Sequence, residues 1–453
     1  MSATHRLAEF VTGTPVLTVP EAALLAARNA LIDTLGVTLA GAAESVSAIV
    51  AESVGRTGDA PGTCTLVGRS GRVAPPEAAL VNGVAAHALD FDDSLAISRS
   101  HPSAPIVSAL LAAAESSGAT TNESLAALAV SIEVTGRLGR LLGSGHYLKG
   151  WHSTATIGSF AAVAAAAYLH RLPAEDLCTA WGLAASRTGG LVRNFGTMTK
   201  PFHVGNAARI GVDSVDLVRA GFTADREILD GPDGFLALYA GEDALPPDAA
   251  LADLGFHWDI VKPGLCVKRW PCCYANHRSI GGLLGLISEN GIVPDEVNAI
   301  FVGFPPEADR ALIKTLPTSG LEAKFSIEFS LAVTLLYGSP VLSTFRDELP
   351  ARPEVVNLMR RVKPYAIPDR GVFSGISGYN DLSVETTRGV FKTRIDRVPG
   401  SEEWPLTDEE RRQKFIGCAR VSLSSDASHD LLHSLETLGE EPLAQVLRQT
   451  VPQ

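Results

Sequence analysis

One stretch constrains the fold more than any other: Thr154 to Leu169 is apolar nearly all round and carries Ala161, Ala162, Ala164, Ala165, Ala166 and Ala167. A helix without a polar face must be enclosed, and small side chains let its neighbours approach closely. The stretch is short for a bilayer span and is bounded by His152 and His170. It therefore predicts a helix at the centre of a bundle rather than in a membrane.

The sequence around it predicts more helices. From Pro20 to about Ala40, Leu24, Ala27, Leu31 and Leu35 follow helical spacing, with Thr18 and Glu21 as a capping box. Ala- and Leu-rich stretches at 76–90, 104–116, 122–142, 174–186 and 205–220 are separated by Gly, Pro or Ser clusters. Near Asp259 the pattern changes. Leu265 to Trp270 and Val297 to Phe304 read as extended, and Leu382 to Arg388 with Val390 to Ile395 reads as a hairpin turning at Gly389. Between them a helical stretch runs from Ser279 toward Pro294, and Ser319 with Glu322 caps a helix to Tyr337. Thr407 and Glu410 form a further capping box, from which the chain is expected to return to the bundle.

Charge and cysteine content narrow the partners. A net charge of -12 over 453 residues, with no run of Lys and Arg interleaved with aromatics, argues against nucleic acid. Six cysteines without a paired framework, and an N-terminus lacking a positive flank before an apolar core, lead us to expect a cytoplasmic protein with no membrane association.

Four segments carry chemistry. His87-Ala88-Leu89-Asp90-Phe91-Asp92-Asp93-Ser94, followed by His101-Pro102-Ser103, crowds carboxylates beside imidazoles. A carboxylate next to an imidazole fixes its tautomer and strengthens it as a base, although Asp at such places also caps helix ends. Gly150-Trp151-His152-Ser153-Thr154 leads into the apolar helix, where His152 either shares an anion with the helix N-terminus or forms part of the cap. Asn194 to Asn206 contains Lys200-Pro201. Because a residue before proline avoids helical backbone, Lys200 is expected to project from an extended turn, as a carboxylate clamp or a solvated surface lysine. The fourth segment, Lys268 to Arg278, holds Cys272 and Cys273. Adjacent thiols chelate one metal poorly, so they read as packing or pocket-lining groups, with a Cys/His nucleophile pair also open.

Together these segments resemble the MmgE/PrpD family. The resemblance rests on Asp90-Phe91-Asp92-Asp93 with His101-Pro102-Ser103, on Gly150-Trp151-His152-Ser153, on Gly196 to Pro201, on Lys268 to Cys273 and on Gly320 to Ser326, blocks spread over most of the chain. It implies a mainly α fold with a smaller α/β domain: a large all-helical domain formed by both chain ends (1–262 and 401–453), an inserted lid over 263–400, and a homodimer. It places Asp90, His101, His152, Lys200 and Lys268 around one pocket, with Ser94, Cys273 and Met198 as further substrate contacts. Ser94 stands where decarboxylase-like members carry Thr. Cys273 stands where they carry His, and Ile327 and Phe329 where tyrosines are often found.

The activity expected from the resemblance and the residues is cofactor-independent proton transfer on a small anionic di- or tricarboxylic acid. His101 or His152 would remove a proton from carbon beside a carboxylate, Asp90 would orient the imidazole, and Lys200 and Lys268 would neutralise the developing charge. Dehydration or decarboxylation of a citrate- or aconitate-like acid is the first expectation, and epimerisation of an iminodisuccinate-like dicarboxylate the alternative. A non-catalytic dicarboxylate-binding protein is the rival from another class. No dinucleotide fingerprint, P-loop or zinc motif is present in the sequence, so neither a cofactor nor a metal is expected.

Overall fold

The computed structural model describes residues 1–55, 62–368 and 378–452. It is mainly helical with a small mixed sheet, and it divides into two compact units. The helical unit comprises Met1–Arg193, Met198–Cys266 and Thr407–Gln453, and the α/β unit comprises Asn194–Thr197 and Val267–Leu406.

In the helical unit the apolar stretch forms helix Ser153–Leu169, in which every residue but Tyr168 is buried. Helices Ser103–Ser117, Thr121–Leu148 and Thr199–Arg219 pack around it. Helix Pro75–Ala88 packs along Thr199–Arg219 at close range, and glycine makes this possible. A Cβ on Gly205 would lie 2.3 Å from the Leu80 carbonyl oxygen, and one on Gly83 would lie 2.7 Å from the Gly205 Cα. Helix Asp408–Ala419, with which the chain returns to this unit, packs on helix Glu21–Gly41. It starts at the expected capping box, with Thr407 accepting from the Glu410 N–H and Glu410 accepting from the Thr407 N–H. Among the described residues Glu21–Gly41 is the one helix long and apolar enough to cross a membrane, and more than half of its apolar window is buried in this unit.

The α/β unit has a four-stranded sheet in the order Val362–Ala366, Val297–Phe304, Asn380–Thr386, Gly389–Ile395. The first pair is parallel and the others antiparallel. Leu382 and Val384 alternate with more exposed Asp381, Ser383 and Glu385, so one face of the strand joins the core of this unit. Helices Tyr274–Asn290 and Ile327–Tyr337 supply Ile280, Leu283, Phe329 and Val333 to the same core.

Several local expectations fail for identifiable reasons. Helix Glu21–Gly41 has Pro20 at its N-cap and no side-chain cap, and Thr18 instead donates to the Pro15 carbonyl, so the Thr18/Glu21 box does not form. An additional helix, Ala3–Thr12, precedes it, capped by Ser2. Leu265 to Trp270 forms no strand; Cys266 makes a single antiparallel bridge to Ser94. The helix expected from Ser319 to Tyr337 is broken into Gly320–Ala323 and Ile327–Tyr337, because Ser326 accepts from the Phe329 N–H and starts a second helix. The hairpin turns at Thr387 and Arg388 rather than at Gly389, which begins the returning strand.

The largest correction concerns Lys200. It lies in the first turn of helix Thr199–Arg219, not in an extended turn. Pro201 is tolerated there because the first N–H groups of a helix have no carbonyl to pair with, so the missing donor costs nothing.

Candidate active site

Helix Pro75–Ala88 ends just ahead of the acidic motif, and Asp90 takes a left-handed backbone conformation with φ of 51°. Asp tolerates this region better than most residues, and the reversal carries the chain back across the helix end. As a result Asp92 reaches His87, five positions earlier: the His87 Nδ1–H donates to the Asp92 carboxylate, 2.8 Å from each oxygen. Asp90 turns the other way. Its Oδ1 accepts from Lys200 Nζ at 2.7 Å, and both side chains are only 4% exposed.

His101 stands beside this pair. Its Nδ1–H donates to the Asp93 carbonyl at 2.8 Å, with Ser94 Oγ 3.2 Å from the same nitrogen, and its Nε2 lies 3.9 Å from Asp90 Oδ1. The backbone N–H of His101 donates to Thr154 Oγ1, tying this loop to the start of the central helix. His152 is the N-cap of that helix and is fully buried, with its Nδ1 3.2 Å from His203 Nδ1. The rings of His101 and His152 lie 4.7 Å and 6.1 Å from that of His87, centroid to centroid. Asp90, His101, His152 and Lys200 thus converge within the helical unit, and the structure adds His87 and Asp92 to them.

Burial sets the protonation of this cluster. Desolvation holds the His152 imidazole well below its ordinary range, and the Lys200 ammonium pushes the same way. Desolvation also lowers His87, against the opposing pull of Asp92. Both shifts favour the neutral imidazole. The Asp93 carboxyl is pushed up to about 7 by burial, despite accepting from the Ser103 hydroxyl at 2.5 Å.

Asp93 has a measurable consequence. A carboxyl raised to about 7 in the folded chain, against an unfolded value near 3.9, binds its proton more tightly when folded, so its contribution to stability is present below pH 4 and lost as pH rises to 7. Asp93→Asn lacks that loss, and is expected to gain on the parent by an amount on the order of 4 kcal/mol between pH 4 and pH 8. Thermal midpoints of both chains at the two pH values test this, and a difference that stays constant with pH contradicts it.

The donor atoms of His87, Asp90, Asp92 and His101 lie within 4.8 Å of one another, close enough to share a cation. Asp90 is bonded to the Lys200 ammonium and Asp92 to His87, so lysine brings positive charge to this cluster.

Models of the MmgE/PrpD N-terminal and C-terminal domains match residues 5–247 and 270–437. The chain belongs to the MmgE/PrpD family. Its relatives include the cis-aconitate decarboxylase of Mus musculus, 28% identical over 96% of this chain and 91% of the mouse protein. That of Homo sapiens is 28% identical over 96% of this chain and 92% of the human one, and that of Aspergillus terreus 25% identical over 85% and 84%.

The remaining MmgE/PrpD motif residues are distributed as follows. Ser94 is buried and bonded by its backbone to Cys266, while Met198 is the half-exposed N-cap of the Lys200 helix. Lys268 and Cys273 belong to the α/β unit, where both are buried and the Cys273 N–H donates to the Lys324 carbonyl. Sequence reasoning missed Lys414. From helix Asp408–Ala419, its ammonium bonds the Phe91 carbonyl at 2.9 Å, sits 4.1 Å above the Phe91 ring and pairs with Asp33 at 2.7 Å. It thereby holds the loop between Asp90 and Asp92, and no local sequence signal marks it.

Proposed function

We propose that this chain is a lyase acting on an aconitate-like tricarboxylic acid, releasing carbon dioxide or water through proton transfer at the carbon beside a carboxylate. The observation that carries the reading is the meeting of three imidazoles, His87 and His152 buried and His101 partly so, with the buried Lys200–Asp90 pair in one unit. Such carbon acids are weak. A shielded imidazole offers a base at neutral pH, and positioned acid–base groups contribute about 10²- to 10⁴-fold. The Lys200 ammonium offers fixed positive charge where enolate-like charge would develop.

Decarboxylation of cis-aconitate is the form the relatives' names favour. In that reaction the bond to one carboxylate breaks, its electron pair moves into a new double bond, and the former alkene carbon takes a proton. Dehydration of a citrate-like acid uses the same groups in another order: an imidazole removes the proton and hydroxide leaves. Cys273, Ile327 and Phe329, which depart from the decarboxylase-like pattern, are buried in the core of the α/β unit.

Incubation with cis-aconitate, citrate, 2-methylcitrate and iminodisuccinate, followed by proton NMR, tests the reading. Loss of carbon dioxide or water from a tricarboxylate is expected. Inversion of iminodisuccinate alone would move the assignment to an epimerase, and binding without any turnover would move it to a binding protein.

A further inference from the structure

The motif residues account for two imidazoles, His101 and His152, but the imidazole best built for proton transfer is His87. It is fully buried, and its Nδ1–H is committed to both oxygens of Asp92. That bond fixes the neutral tautomer with the lone pair on Nε2. Among the described residues Nε2 has no hydrogen-bond partner, although it lies inside the protein. A buried polar atom left without a partner costs on the order of 1–3 kcal/mol, so such an atom calls for an explanation. It faces the site: Asp90 Oδ1 is 4.0 Å away, and the rings of His101 and His152 flank it.

We infer that His87, oriented by Asp92, is the proton carrier of the site, exchanging the proton at Nε2 with the substrate carbon. This deepens the lyase reading and rests on it. In decarboxylation, His87 enters the step protonated: Nε2–H passes its proton to the alkene carbon, the bond to the departing carboxylate breaks, carbon dioxide leaves, and His87 returns to the neutral Nδ1–H form. In dehydration the transfer runs the other way, from carbon to Nε2, while hydroxide departs. The charged and titratable groups around the ring are Asp92, Asp90, Lys200, His101, His152 and His203. Arrival of a multiply charged anion beside the ring favours its protonated form, which Asp92 and Asp90 then hold between them.

His87→Asn separates this role from packing. An asparagine amide can still donate to Asp92 in place of Nδ1–H, but it has nothing that titrates where Nε2 stood. With the acid that the parent chain turns over, H87N is expected to lose about 10²-fold or more in kcat, KM changing far less, and to lose the limb of the pH profile that this ring sets: the basic limb for an acid that is decarboxylated, where the proton on Nε2 is required, and the acidic limb for one that is dehydrated. H87N that keeps its circular dichroism and melting point and turns over within threefold of the parent, with the same pH profile, overturns the role of His87 and leaves the lyase reading standing. A parent chain that turns over none of the acids sinks both. If H87N fails to fold, ¹⁵N-imidazole NMR of the parent decides: an unprotonated Nε2 that takes a proton when the substrate binds is expected, and a protonated Nε2 in the free chain contradicts the assignment.

Discussion

Lys200→Met is expected to lower kcat by about 10²- to 10³-fold on the acid the parent turns over, the scale seen when one fixed electrostatic contact to developing charge is removed. The same change is expected to destabilise the helical unit by about 3–5 kcal/mol, because it takes the ammonium away from a carboxylate that stays buried. The two losses can be told apart. Asp90→Asn added to Lys200→Met removes the buried charge and should recover much of the stability, yet turnover should stay low because the positive charge is still missing. Melting curves and single-acid kinetics on the parent, the single variant and the double variant provide the check. A Lys200→Met chain that retains a tenth or more of parental kcat would remove lysine from the mechanism.

The second large effect is expected from a residue with no chemistry. In Gly205→Ala the new Cβ would meet the Leu80 carbonyl oxygen at 2.3 Å and Val84 Cγ2 at 2.6 Å. Backbone cannot swing aside as a side-chain end can, so helices Pro75–Ala88 and Thr199–Arg219 must separate. Overpacking of this kind typically costs about 1–3 kcal/mol, and here the shift also moves the helix carrying Lys200 away from the helix carrying His87. A lower melting point is expected together with reduced kcat. Gly285→Ala is the control: no atom lies within 4 Å of its Cβ position, and alanine in a helix is favoured over glycine by up to about 1 kcal/mol. Equal melting points for the two variants would show that the close helix contact is not under strain.

The difference between what was legible and what was not follows from the range of each interaction. Helical spacing and capping are local, so the central Ala-rich helix and the Thr407–Glu410 start could be read directly. The same locality misled at Thr18, where Pro20 takes the cap, and at Lys200, where the rule for residues before proline gave way to the permissive first turn of a helix. The segment from His87 to Ser94 stood out as chemistry-bearing. Which carboxylate serves which cation did not, because the answer depends on the left-handed turn at Asp90. Lys200 is 110 residues from Asp90 and Lys414 is 323 from Phe91, distances over which a single sequence carries no pairing signal.

The most direct test of the account is whether solvent hydrogen reaches carbon at this site. With the parent chain and cis-aconitate in deuterium oxide, NMR is expected to show one deuteron placed at the former alkene carbon of the decarboxylated product, or in recovered substrate, and Lys200→Met should suppress it. Saturable binding of the acid with no deuterium in substrate or product would contradict proton transfer as the function of this cluster.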